Sequence, residues 1–180
     1  MGAGGPGFEI PAPRLPGSPM TLADALLRLG AATLVGGAIG LNRDLRGKPA
    51  GVRTHALVGL GSAVATAVGA SLLGGEPDPG AVSRVIQGII TGIGFLGAGV
   101  ILHRGGDGGV RGLTTAASIW VVATLGVACG AAQWAPVLVG TGLTLAVLLL
   151  GGPFERLMHR LRGSKPDKEK TAPGPPPPTG

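Results

Sequence analysis

Polar side chains able to do chemistry cluster in two short stretches of an otherwise apolar sequence. Asn42, Arg43, Asp44, Arg53, Thr54 and His55 fall in one, and His103, Arg104, Asp107, Arg111, Thr114 and Thr115 in the other. Arg28 and Gln87 stand apart, inside apolar runs. This set is rich in guanidinium and hydroxyl groups and poor in carboxylates. A magnesium site wants carboxylates and waters. Asp44 and Asp107 are the only acids in the two stretches, and the arginines around them would repel a divalent cation. No metal site is predicted. The histidines have no evident nucleophile beside them, and the nearby Ser and Thr residues read as caps and packing. The run Gly105-Gly106-Asp107-Gly108-Gly109 invites a phosphate-cradle reading, but no Gly-Lys-Ser/Thr follows, so it reads as a hinge between helices. Cys129 is the only cysteine, which excludes an internal disulfide and a Cys-based zinc site. The residues therefore point to a protein without catalysis or cofactor, whose charges pair with one another: Arg43 or Arg53 with Asp44, and Arg111 with Asp107.

Such charges need elements to carry them. Of 180 residues, 44% are hydrophobic and only 13% charged, with mean hydropathy +0.43. Net charge is +6, which in a soluble protein would suggest nucleic acid. Aromatics are 3%, with no tyrosine, so base-stacking platforms are nearly absent and nucleic acid is excluded as a partner. The basic residues lie between apolar runs or just after the last one, where membrane topology places them. The lipid bilayer is the first partner.

The pattern predicts an all-α membrane protein, a bundle of about five transmembrane helices with glycine-rich packing. Residues 1–20 read as a disordered leader, with Met20 an alternative start. Residues 21–152 form the transmembrane domain, 153–162 a basic interfacial helix, and 163–180 a disordered, Pro-rich tail. The spans are Leu22–Leu41, Thr54–Leu73, Val85–Leu102, Leu113–Cys129 and Trp134–Leu150. The first, at a rise of 1.5 Å per residue, covers about 30 Å, the hydrocarbon thickness. In it, Ala32, Gly36 and Gly40 recur every fourth residue as a small packing face. Arg28 is spaced to pair with Asp24, four residues before it. Gly59, Ala63 and Ala67 make one small face of the second span; Ser62, Thr66 and Ala70 make another. The third carries Gly88, Gly92 and Gly99 on one face and Gly94 and Gly97 on the other, which predicts a close-packed central helix, continuous or re-entrant. Thr114 or Thr115 is available to cap the fourth. The fifth is poor in small residues and should face lipid. Phe154, Leu157, Met158 and Leu161 share one face of the segment that follows, with Arg156, Arg160 and Arg162 mostly opposite, as in a helix lying among anionic headgroups. Basic loops after the first, third and fifth spans put the N-terminus outside and the C-terminus in the cytoplasm. A reporter fused after Gly75 and reading cytoplasmic would sink that topology.

Five strings of residues then carry a family likeness. They are Leu26–Leu29, Gly40–Asp44, Pro49–Val58 (PAGVRTHALV), Gly92–Val100 (GIGFLGAGV) and Gly112–Trp120 (GLTTAASIW). In this order, over about residues 22–150, they resemble the successive motifs of the MgtC/SapB family. The resemblance implies a bacterial inner-membrane protein. It also implies a link to growth in low magnesium and to survival inside macrophages, exerted by restraining the membrane ATP synthase. Two features depart from the pattern. Leu41-Asn42-Arg43-Asp44 stands where relatives often have Leu-Glu-Arg-Glu, and only Phe154–Gly180 follows the last span. The chain thus resembles the short form, without the soluble C-terminal regulatory domain.

The leading functional expectation is a non-enzymatic membrane regulator of energetics or ion homeostasis. Its partner would be another membrane complex, with ATP synthase implied by the resemblance, and a second copy of the chain is a further candidate. The alternative is an ion or small-solute transporter or channel subunit, lined by Gln87 and Thr91. Arg53→Ala and Arg111→Ala are each expected to abolish activity and leave membrane insertion intact.

Overall fold

The structure is a computed structural model that describes residues 20–71, 79–102 and 112–161. The leader, the 163–180 tail and the residues His103, Arg104, Asp107 and Arg111 fall outside these. The described residues form helices α1 (Leu22–Asp44), α2 (Val52–Ser71), α3 (Pro79–Leu102), α4 (Leu113–Gly130) and α5 (Trp134–Leu161). Four of them, within α1, α3, α4 and α5, are long and apolar enough to cross a bilayer. The protein is an all-helical membrane protein.

All the helices but α2 are longer than the apolar runs. α1 continues through Asn42, Arg43 and Asp44, and α2 begins at Val52, so the first loop shrinks to Leu45–Gly51. Thr21 starts α1 with a capping box: its hydroxyl accepts from the Asp24 amide, and the Asp24 carboxylate bonds back to Thr21. Pro79 opens α3 as one continuous helix, where a loop to Arg84 and a re-entrant span were both in prospect; proline is well suited to a first helical turn. α5 likewise runs through Pro153 to Leu161 in place of stopping at Leu150.

The described chain groups into two compact units that divide after Leu145. In the first, α1, α2 and α4 pack on one another and α3 packs on α2 and α4. Contacts along these helices set their directions. Gly36 of α1 lies against the His55 carbonyl and Gly59 of α2 against Ala32, so α1 and α2 are antiparallel. Gly126 lies against Gly59, Gly130 against Ala63, and Ser118 near His55, so α2 and α4 run the same way. Val137 of α5 closes a core cluster with Ala32, Ala63 and Cys129. The second unit is the remainder of α5, whose Phe154, Leu157, Met158 and Leu161 are exposed.

The centre of the bundle is α4 and not α3, which corrects the expectation drawn from glycine density. Half of α4's apolar window is buried, against 6% of α3's. A Cβ added at Gly88, Gly92, Gly94 or Gly99 would meet nothing, and at Gly97 only the Ala116 methyl. Phe95, among these glycines, is 83% exposed. By contrast, a Cβ at Gly36 or Gly40 would strike the α2 backbone, as the four-residue spacing in α1 predicts. α2 turns both small faces inward: Gly59, Ser62, Ala63, Thr66 and Ala67 are buried, and Ala70 is exposed.

Candidate functional site

The end of α1 and the starts of α2 and α4 meet in a buried polar junction. Arg43, in the last turn of α1, is 4% exposed; His55, one turn into α2, is fully buried; Thr115 and Ser118, one turn apart on α4, are buried with them. The Arg43 guanidinium donates from Nη2 to Thr115 Oγ1 at 2.6 Å. His55 Nδ1 lies 2.9 Å from the Gly51 carbonyl, which can only accept, so this nitrogen carries a proton. His55 Nε2 lies 3.0 Å from Ser118 Oγ, and that hydroxyl also lies 2.8 Å from the Thr115 carbonyl. Ser118 has one proton to give. If it donates to Thr115, Nε2 must bring a proton of its own; if Nε2 is bare, the hydroxyl turns toward it.

Local sequence explains the arrangement. Asp44 ends α1 and turns back to begin α2, its Oδ2 accepting from the Val52 amide at 2.9 Å. Its carboxyl occupies the space where a side chain at Gly51 would project. The loop between them closes with Gly47 and Ala50 in the left-handed region, at φ 59 for each. α4 begins at Gly112, φ 93, packed against the Val100 carbonyl of α3. Gly112 is the N-cap and provides no side-chain cap bond.

Several expectations change. Asp44 is not the partner of Arg43 or Arg53: it caps α2, and Arg43 turns to Thr115. Thr115 does not cap α4, and Thr114 is exposed. Arg53 and Thr54 are exposed on α2's first turn, beside the junction but outside its buried network. Asn42 is half-buried, with its Oδ1 enclosed and without a hydrogen-bond partner among the described residues. Arg28 and Gln87 do not join the cluster. Arg28 donates from Nη1 to the Gly130 carbonyl at 3.1 Å, satisfying the last carbonyl of α4 at the opposite end of the bundle. Gln87 is exposed and bonds Ser83; it lies two residues after Val85, which abuts Gly69 near the end of α2. Ser118 is the site residue that sequence reasoning missed. Its signal was the three-residue spacing from Thr115, which puts both hydroxyls on one face of α4.

Among the described residues, no three His, Cys, Asp or Glu side chains gather as metal ligands would. The junction instead offers a guanidinium, an imidazole and two hydroxyls, a donor set that suits an anion or a protein acceptor. The model of the MgtC family matches residues 29–157, which takes in the whole junction. The chain belongs to the MgtC family. It is 47% identical over 140 residues to protein SrpB of Synechococcus elongatus, covering 73% of this chain and 75% of SrpB. It is 41% identical over 146 residues to YhiD of Escherichia coli K12, covering 77% of this chain and 64% of YhiD. Against protein MgtC of Brucella abortus the figures are 42% over 138 residues, 77% of this chain and 56% of that protein. The match thus spans less than two thirds of YhiD and of the Brucella MgtC protein. No solved structure matches this chain significantly. The MgtC family membership and the apolar helices make this a bacterial membrane protein.

Proposed function

We propose that this MgtC-family protein is a non-enzymatic regulator of membrane energetics and ion homeostasis that works by binding another membrane complex, with the α1–α2–α4 junction as its functional face. The observation that carries this reading is the burial of Arg43 and His55 where three helices meet, bonded to hydroxyls of α4. Burying such groups is costly unless they are paired, and an apolar side chain would fill the same space at less cost. They are therefore better explained by a use than by packing. The name of YhiD ties that protein to magnesium transport. For this chain the arginine-rich donor set favours an indirect role in low magnesium over direct handling of the cation. ATP synthase is the candidate complex by family resemblance, and a second copy of the chain is the other.

In this reading the N-terminus lies outside, the C-terminus in the cytoplasm, and the junction at the cytoplasmic face. The parallel course of α2 and α4 brings both their starts to one end of the bundle, and the basic residues there favour the cytoplasmic side. A photocrosslinker placed at exposed Lys48, in the loop between α1 and α2, tests it in native membranes. The expected product is one membrane complex, recovered repeatedly and lost in Arg43→Ala protein that still inserts. If only lipid or nothing is captured, the regulator reading fails. Arg53→Ala and Arg111→Ala are each expected to abolish activity with insertion intact; wild-type behaviour of both would leave the basic residues a topological role alone.

A further inference from the structure

Arg43 is a buried cation with a single side-chain acceptor. Nη2 is taken by Thr115, and Nε is enclosed without an acceptor. Among the described residues no carboxylate bonds to it, and neighbouring Asp44 commits Oδ2 to the Val52 amide. The negative end of the α1 dipole, where Arg43 sits, offsets only part of its charge.

A second, independent feature meets it there. α4 is 18 residues long and starts without a side-chain cap. The amides of Leu113, Thr114 and Thr115 have no acceptor inside the helix and carry the positive end of its dipole. Thr115 is the third residue of α4 and also the acceptor for Arg43. Among the described residues, a guanidinium without a counter-charge and a helix start without a side-chain cap thus converge on one residue. Exposed Lys48 adds positive field in the loop after α1, and Asp44 is the one acid between the last turn of α1 and the first turn of α2.

We propose that the junction of Arg43 with the α4 N-terminus is an oxyanion site that takes a phosphate group, presented by an anionic phospholipid or free in solution. Phosphate offers several acceptors at once to a guanidinium fork and to helix-start amides. The depth suits a headgroup, because Arg43 lies one residue from the end of the apolar span Leu22–Asp44. The proposal rests on the reading of this end as the functional face. Its test measures binding without any protein partner, so a failed capture experiment and a failed phosphate experiment are told apart.

The test uses the full-length protein, purified, stripped of lipid and unfolded by heat with three additives: phosphatidylglycerol, inorganic phosphate, and a phosphate-free galactolipid. Phosphatidylglycerol should raise the unfolding midpoint of the wild type, and the galactolipid should not. A rise with inorganic phosphate as well identifies a free oxyanion as sufficient; a rise with phosphatidylglycerol alone identifies the headgroup as the source. Arg43→Gln should remove the response, and Arg53→Gln should keep it. Should Arg43→Gln fail to fold, Arg43→Lys retains the charge without the fork and should need roughly tenfold more phosphatidylglycerol for half the effect. An undiminished response in Arg43→Lys or Arg43→Gln overturns the proposal. So does equal loss in Arg53→Gln, which would reveal a diffuse surface field, or an equal rise with the galactolipid.

Discussion

Two helices, glycine-rich α3 and glycine-poor α4, put their glycines to opposite ends. In α4, Gly126 and Gly130 sit directly on the α2 backbone, at Gly59 and Ala63. In α3, Gly88, Gly92, Gly94 and Gly99 face open space, and the helix is mostly exposed. What separates them is what lies opposite. Gly126 and Gly130 are four apart and face an α2 stripe that is itself small, Gly59–Ser62–Ala63–Thr66, so two backbones can close. The α3 glycines are spread around the helix, and no facing stripe meets them among the described residues. Glycine permits close approach; a complementary face is needed to use it.

The largest expected effect tests that difference directly. Gly126→Ala would drive a methyl into the Gly59 carbonyl and should destabilise the fold by at least about 1–3 kcal/mol. Gly92→Ala has room and should leave stability unchanged or raise it by up to about 1 kcal/mol. Thermal unfolding in detergent measures both, and equal losses would erase the distinction between the helices. Next comes the polar seam on the tight side. Thr115→Val removes the Arg43 acceptor and strands a buried donor, at about 1–3 kcal/mol. Ser118→Ala removes the His55 contact at about 1 kcal/mol. A Thr115→Val protein as stable as the wild type would mean that Arg43 finds another acceptor. The smallest effect lies at the α4–α5 turn. There Gln133 bonds back to Ala128 and Ala132 to Cys129, a helix-ending motif that favours glycine at position 132. Ala132 holds φ 56 there, so Ala132→Gly should gain up to about 1 kcal/mol. A loss would show that its methyl has packing value.

The fold was legible in the sequence because apolar length and small-residue spacing are local properties. Ala32, Gly36 and Gly40 announce a face of α1 whatever it packs against. The central helix was not legible, since α4's burial depends on which helices surround it, and glycine density favoured α3. The site was half legible. Arg43, His55 and Thr115 stand out by type, and the described helix ends that carry them meet. Their partners were misjudged because local candidates, such as Asp44 beside Arg43, compete with residues more than sixty positions away. Arg28 shows the same limit, since the Gly130 carbonyl it serves is 102 residues distant.

Thr115 and Ser118 lie one turn apart on α4, yet they grip different neighbours, α1 through Arg43 and α2 through His55. A twist of α4 about its own axis would carry both hydroxyls away together, so the two bonds release as one event. The pair works as a detent. It holds α4 at one angular setting against two helices of opposite direction and resists small rotations from either side.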